Sequence, residues 1–158
     1  MSEDDAFLRE LESTIAQELD VIGRLRGEAR SELARQAPNP RVLGSVLHDF
    51  YTCCERVFKR IVSEINGAFY QGDAWHKELL YRMTIPVEGV RPALISQELA
   101  AELDEYLSFR HVFRNIYGFE LKGERIMRLS GNLEQIGLRF EKEVRAFLLA
   151  LQAGNEGR

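Results

Sequence analysis

Apolar positions recur at helical spacing through nearly the whole chain. Leu8, Leu11, Ile15, Leu19, Ile22 and Leu25 stand three or four apart, which aligns them on one face of an α-helix. They predict a first helix from near Glu3 to Gln36, with Ser2 as its cap and acids in the first turn. Gly23 and Gly27 weaken its middle. Pro38-Asn39-Pro40 breaks the pattern, and Asn39 suits an N-cap as Pro40 suits the first helical position. A second helix carries Leu43, Val46, Leu47, Phe50, Cys54, Val57, Phe58, Ile61 and Ile65 and ends near Asn66-Gly67. Its apolar stripe is the widest in the chain, so this helix is expected at the centre.

Gly72-Asp73 reads as a turn, with Asp73 capping a short helix from Ala74 to about Met83. The segment Thr84 to Ile95 holds Pro86, Gly89 and Pro92 and is the longest loop. Ser96 caps the next helix, which ends near Gly118. After Gly123 a last helix carries Ile126, Leu129, Leu133, Ile136, Phe140, Val144, Phe147 and Leu151. No segment alternates with period two long enough to be a strand. The expectation is an all-α fold, an antiparallel four-helix bundle with one additional short helix.

The length of 158 residues fits a single domain over 1–158, with a polar tail from about Gly154. A net charge of −4 argues against a protein coated in basic surface for duplex binding. It leaves RNA contact through a local cluster open. The apolar runs are broken by charges well short of a membrane span, and Met1-Ser2-Glu3-Asp4-Asp5 is unlike a basic signal-peptide start. A cytoplasmic protein with no membrane contact is expected. Cys53 and Cys54 are neighbours in a helix, pointing about 100° apart, which suits neither a disulfide nor a zinc site; at least one reads as core.

Candidate chemistry concentrates in Phe109 to Tyr117. Phe109, Val112, Phe113 and Ile116 form a core stripe. Arg110, His111, Arg114 and Asn115 form a polar arc opposite, with Tyr117 near its edge. Arginine offers forked donors to phosphate, and histidine exchanges protons near neutral pH. On the second helix His48 and Glu55 share a face and stand as possible supports for this arc through ion pairs; a solvated strip is the other reading. His48, His76 and His111 lie on three different helices, so a three-histidine metal site is one alternative, but the two Glu-x-x-His pairs of di-iron bundles are missing. In Trp75-His76-Lys77-Glu78 the apolar residues read as docking and the polar ones as facing water. Arg91-Pro92 would be a further cation in the long loop. No nucleophile elbow, phosphate loop or zincin motif occurs.

These residues together resemble HEPN domains, in particular the HepT-like branch. Four blocks carry the resemblance: Leu47-His48-Asp49-Phe50-Tyr51, Glu55-Arg56-Val57-Phe58, Trp75 through Leu80, and Phe109 through Leu121. HepT-like domains have an Arg-Asn-x3-His-x-Tyr run. Arg110 takes the Arg position and Tyr117 the Tyr position, but His111 stands where the family has Asn, and Asn115 where it has His. The resemblance implies a homodimer whose motif helices meet across a two-fold axis. It implies a metal-independent endoribonuclease acting as a toxin, with RNA as substrate and no cofactor. The implied partner is a minimal nucleotidyltransferase antitoxin that adenylylates the motif tyrosine, here Tyr117.

The exchange bears on mechanism, because metal-free RNA cleavage needs a base, an acid and cations for the phosphorane. Asn115 cannot move protons at neutral pH; His111 can, but stands about 100° from Arg110 around the helix where the motif histidine stands about 140° away. On the first reading Arg110 and Arg114 hold phosphate, His111 is general acid or base, and Asn115 orients RNA or His111. The alternative is a non-catalytic HEPN module binding RNA or a nucleotidyltransferase through the same face. A metal-binding helical bundle is third.

Overall fold

The computed structural model describes residues 2–66, 72, 74–115 and 122–156. Its helices are α1 (Glu3–Leu33), α2 (Pro40–Ile61), α3 (Trp75–Arg82), α4 (Gln97–Asn115) and α5 (Gly123–Glu156), with one π-helical turn, Val62–Asn66, continuing α2. Local chemistry sets the boundaries. The Ser2 hydroxyl accepts the Asp5 N–H at 3.1 Å and the Asp5 carboxylate accepts the Ser2 N–H at 3.2 Å, a reciprocal cap at the start of α1. Asn39 Oδ1 accepts the Arg41 N–H at 2.9 Å, and Pro40 opens α2. The Ser96 hydroxyl accepts the Leu99 N–H at 3.1 Å at the head of α4.

α1 stops at Leu33, short of the expected Gln36. Pro38 biases the residue before it away from helical backbone. The buried Glu32 carboxylate also reaches forward to the Asn39 N–H at 2.9 Å, so α1 and α2 are pinned across the connection. α1 runs unbroken through Gly23 and Gly27. The expected cap of α3, Asp73, and the expected end of α4 at Gly118 lie outside the described residues.

α1, α2, α4 and α5 form the antiparallel bundle and α3 is the short extra helix. α2 packs against every other helix, as its wide stripe predicts. Leu43, Leu47, Phe50, Cys54, Val57, Phe58 and Ile61 are all fully enclosed. They meet Leu11, Ile15, Leu19 and Ile22 of α1 and Ile126, Leu133, Phe140 and Val144 of α5 in one core. Both cysteines are buried, free thiols. Burial, and then the neighbouring Glu18 charge, pushes the Cys53 thiol up to about 12. Among the described residues no helix is long and apolar enough to cross a membrane.

The loop after α3 turns at Gly89, whose φ of +75° is the left-handed region that favours glycine. Arg91 is buried beneath it and donates to the carbonyls of Ile85 at 3.0 Å, Pro92 at 3.1 Å and Arg82 at 3.3 Å. Arg91 is therefore a backbone staple and not a cation offered to a site.

Candidate active site

α4 carries the polar residues singled out in the sequence, but its buried face is wider than the expected stripe. Leu99, Leu103, Tyr106 and Arg110 follow at helical spacing, and all four are buried. Arg110, expected on the exposed arc, is only 2% accessible, while Val112, expected in the core, is 42% accessible. The cause is tertiary. α4 is covered by α2 and also by α3, so the flank that carries Arg110 is closed over by a second element. Phe109 is buried and Phe113 half-buried against the core, as expected, so the departures are at Arg110 and Val112; Ile116 lies outside the described residues.

Arg110 is held from α2. Its Nη2 donates to Glu55 Oε2 at 3.0 Å and its Nη1 to the Thr52 hydroxyl at 3.2 Å. Its guanidinium lies over the Tyr51 ring, 4.8 Å from the centroid. The Tyr51 phenol is buried with no hydrogen-bond partner among the described residues; burial, then the Glu55 charge, raises its pKa. Glu55 is itself buried, so it is no solvated strip: it balances a cation that would otherwise be unpaired in the interior.

His76 of α3 closes this cluster. Its Nδ1 lies 2.8 Å from Glu55 Oε2 and 3.2 Å from Arg110 Nη2. Glu55 can only accept and Arg110 can only donate, so the proton is placed on Nδ1 for the shorter contact, donating to Glu55, while Arg110 Nη2 donates to the same carboxylate oxygen. The ring packs on Trp75, with centroids 3.6 Å apart, and Lys59 Nζ sits 4.6 Å from the Trp75 ring centroid. Read from sequence as facing water, His76 instead turns one edge into the bundle. The sequence gives no signal for it, because nothing within an eight-residue helix says which neighbour it will meet.

A second relay runs along the same two helices. His48 Nδ1 pairs with Asp49 Oδ1 at 3.0 Å, and His48 Nε2 accepts from Arg114 Nε at 2.8 Å. The Arg114 guanidinium is thus held at its Nε edge, and the side chain stands exposed. His111 and Asn115 are exposed as expected. Asn115 Nδ2 donates to the His111 carbonyl at 2.7 Å, so the carboxamide is bonded to the backbone of His111 and not to its imidazole. Tyr117 lies outside the described residues.

Between α3 and α4 the surface opens into a cleft of about 350 Å³ lined by His76, Lys77, Asp104, Arg110, His111 and Arg114, among others. Asp104 is taken up by Lys77 at 3.5 Å and the Tyr81 hydroxyl at 2.9 Å, and Glu55 by Arg110 and His76. The charge that remains on offer in the cleft is positive, at Arg114, while the net charge of the chain is −4. Such a cleft suits a phosphate group. Among the described residues no group of three or more His, Cys, Asp or Glu side chains is placed to hold a metal ion. His48 is bonded to Asp49 and Arg114, and His76 to Glu55.

A family model described as HepT-like protein matches residues 42–151, from the first turn of α2 through most of α5. The match spans well over half of the chain and includes both relays and the cleft. The chain belongs to the HepT-like family of the HEPN superfamily. A search among curated proteins gave no match.

Proposed function

We propose that this protein is a metal-independent endoribonuclease of the HepT-like toxin type, acting as a homodimer on RNA and restrained by a minimal nucleotidyltransferase that modifies Tyr117. The observation that carries the reading is the pair of relays from α2. Asp49 and His48 hold Arg114, and Glu55 holds Arg110, under one cleft that His111 also lines. Arg114 offers the free part of its guanidinium to a phosphate and to the charge that builds on the phosphorane. Arg110, its charge balanced by Glu55, forms the cleft floor and holds the walls in place. His111 serves as general acid or base.

A second reading is favoured by one contact. Asn115 is bonded back to the His111 carbonyl, a helix-terminal role that needs no chemistry at the position where the family carries histidine. On that reading the cleft binds RNA or the nucleotidyltransferase without cutting.

The test is incubation of a mixed tRNA and mRNA pool with the purified protein in EDTA. Cleavage is expected to leave 2′,3′-cyclic phosphate ends. Arg114→Ala should lower the rate by about 10²–10³, the effect typical of losing one transition-state donor. Co-expression with a nucleotidyltransferase should add AMP at Tyr117, seen by peptide mass spectrometry, and abolish the cleavage. RNA bound but left intact by unmodified protein would decide for the second reading.

A further inference from the structure

The ribonuclease reading leaves one place empty. Cleavage through the ribose 2′-hydroxyl needs two proton-transfer groups, and Asn115 supplies neither. From the α3 contacts we infer that His76 is the general base of this site and that His111 is its general acid, an inference that rests on the ribonuclease reading.

Three observations converge on His76. Its Nδ1 lies 2.8 Å from Glu55, closer than the 3.2 Å to Arg110, and with the proton placed on Nδ1 toward the carboxylate, Nε2 carries the lone pair. The carboxylate is buried and fixed by Arg110, and Trp75 packs on the ring, so the imidazole is held from one edge and one face. Its Nε2 has no bonded partner among the described residues. The side chain is about 35% accessible and lines the cleft with His111 and Arg114. A carboxylate that holds one ring nitrogen of a histidine at the wall of a cleft is the arrangement by which hydrolases fix a proton acceptor.

The step balances. His76 Nε2 takes the proton of the ribose 2′-hydroxyl as the 2′-oxygen forms a bond to phosphorus. The bond from phosphorus to the 5′-oxygen breaks, and His111 gives that oxygen its proton. The products are a 2′,3′-cyclic phosphate and a 5′-hydroxyl. The two histidines return to their starting forms by exchange with water. Arg114 faces the non-bridging oxygens throughout.

The two roles separate by leaving group. An RNA carrying a bridging 5′-sulfur at the mapped cleavage position releases a thiolate, which needs no acid. His76→Gln should slow cleavage of both the all-oxygen and the sulfur-bridged RNA by about 10²–10⁴. His111→Gln should slow the all-oxygen RNA by a similar factor and leave the sulfur-bridged RNA close to wild type. Added imidazole should restore part of the rate to His76→Ala, which a purely structural role would not allow. Wild-type rates in His76→Gln, a His76 defect confined to the all-oxygen RNA, or no rescue by imidazole would each overturn the assignment and leave the ribonuclease reading standing. No cleavage of either RNA by the wild type would remove both.

Discussion

One carboxylate oxygen, Glu55 Oε2, lies 3.0 Å from Arg110 Nη2 and 2.8 Å from His76 Nδ1. The arginine side chain is 3% accessible and the carboxylate 7%, so neither has water to fall back on. Removing one partner of such a pair leaves a charge buried without compensation, at a cost of about 3–5 kcal/mol, whereas replacing both by apolar groups is often close to neutral. Glu55→Ala should therefore lower the urea midpoint far more than the double substitution Glu55→Leu, Arg110→Met. An unchanged midpoint in Glu55→Ala would show that Arg110 does not depend on this pair. The sequence makes His48 and Glu55 legible as supports, since both stand on one face of α2 and both are charged or titratable. It does not make the burial of Arg110 legible, because that follows from α3 covering the flank of α4. His76 is hidden for the same reason: its role comes from a carboxylate one helix away.

Where one helix passes close to another, glycine positions decide the approach. A Cβ at Gly44 in α2 would lie 2.7 Å from Phe113 Cε2 of α4, so the aromatic ring that stands there would have to shift. Phe113 also stacks with Phe109 at 5.6 Å and packs near His48 at 5.9 Å, so its displacement would carry into the Arg114 relay. A Cβ at Gly137 in α5 would lie 2.6 Å from Arg26 Cδ, but that is the far part of a flexible side chain. Replacing glycine by alanine inside a helix gains about 1 kcal/mol of propensity, and overpacking costs about 1–3 kcal/mol. Gly44→Ala should be destabilised on balance and show reduced RNA cleavage. Gly137→Ala should keep its melting temperature near that of the wild type, even though Arg26 must adjust its 3.0 Å bond to Glu134. Equal melting temperatures for the two variants would contradict this reading of the α2–α4 contact. Helix starts at Ser2, Asn39-Pro40 and Ser96 are written in local capping chemistry and can be read from the sequence. The width of the buried face of α4 cannot, because Phe109 and Phe113 do face the core while nothing local shows that Arg110 is enclosed with them and Val112 is not.

For the whole molecule, the chain carries a net charge of −4, so attraction to RNA must come from a local positive cluster, and the proposal places it in the cleft between α3 and α4. One protomer brings one such cleft, and the proposed dimer would bring two together across a two-fold axis along the exposed face of α4. Val112 marks that face. It is an apolar side chain, 42% accessible, between the exposed His111 and Arg114. In a two-fold interface the same patch meets its own copy, so a single substitution alters the contact twice. Val112→Glu would set two carboxylates against each other at the axis and place a negative charge beside each cleft. Sedimentation of the wild type at micromolar concentration should give a dimer, and Val112→Glu a monomer that has lost RNA cleavage while keeping its helical content. A wild type that sediments as a monomer and still cuts RNA would remove the dimer from the proposal and leave each cleft to work alone. A dimeric Val112→Glu would move the two-fold axis away from α4, and with it the expectation that the motif helices of two chains face one another.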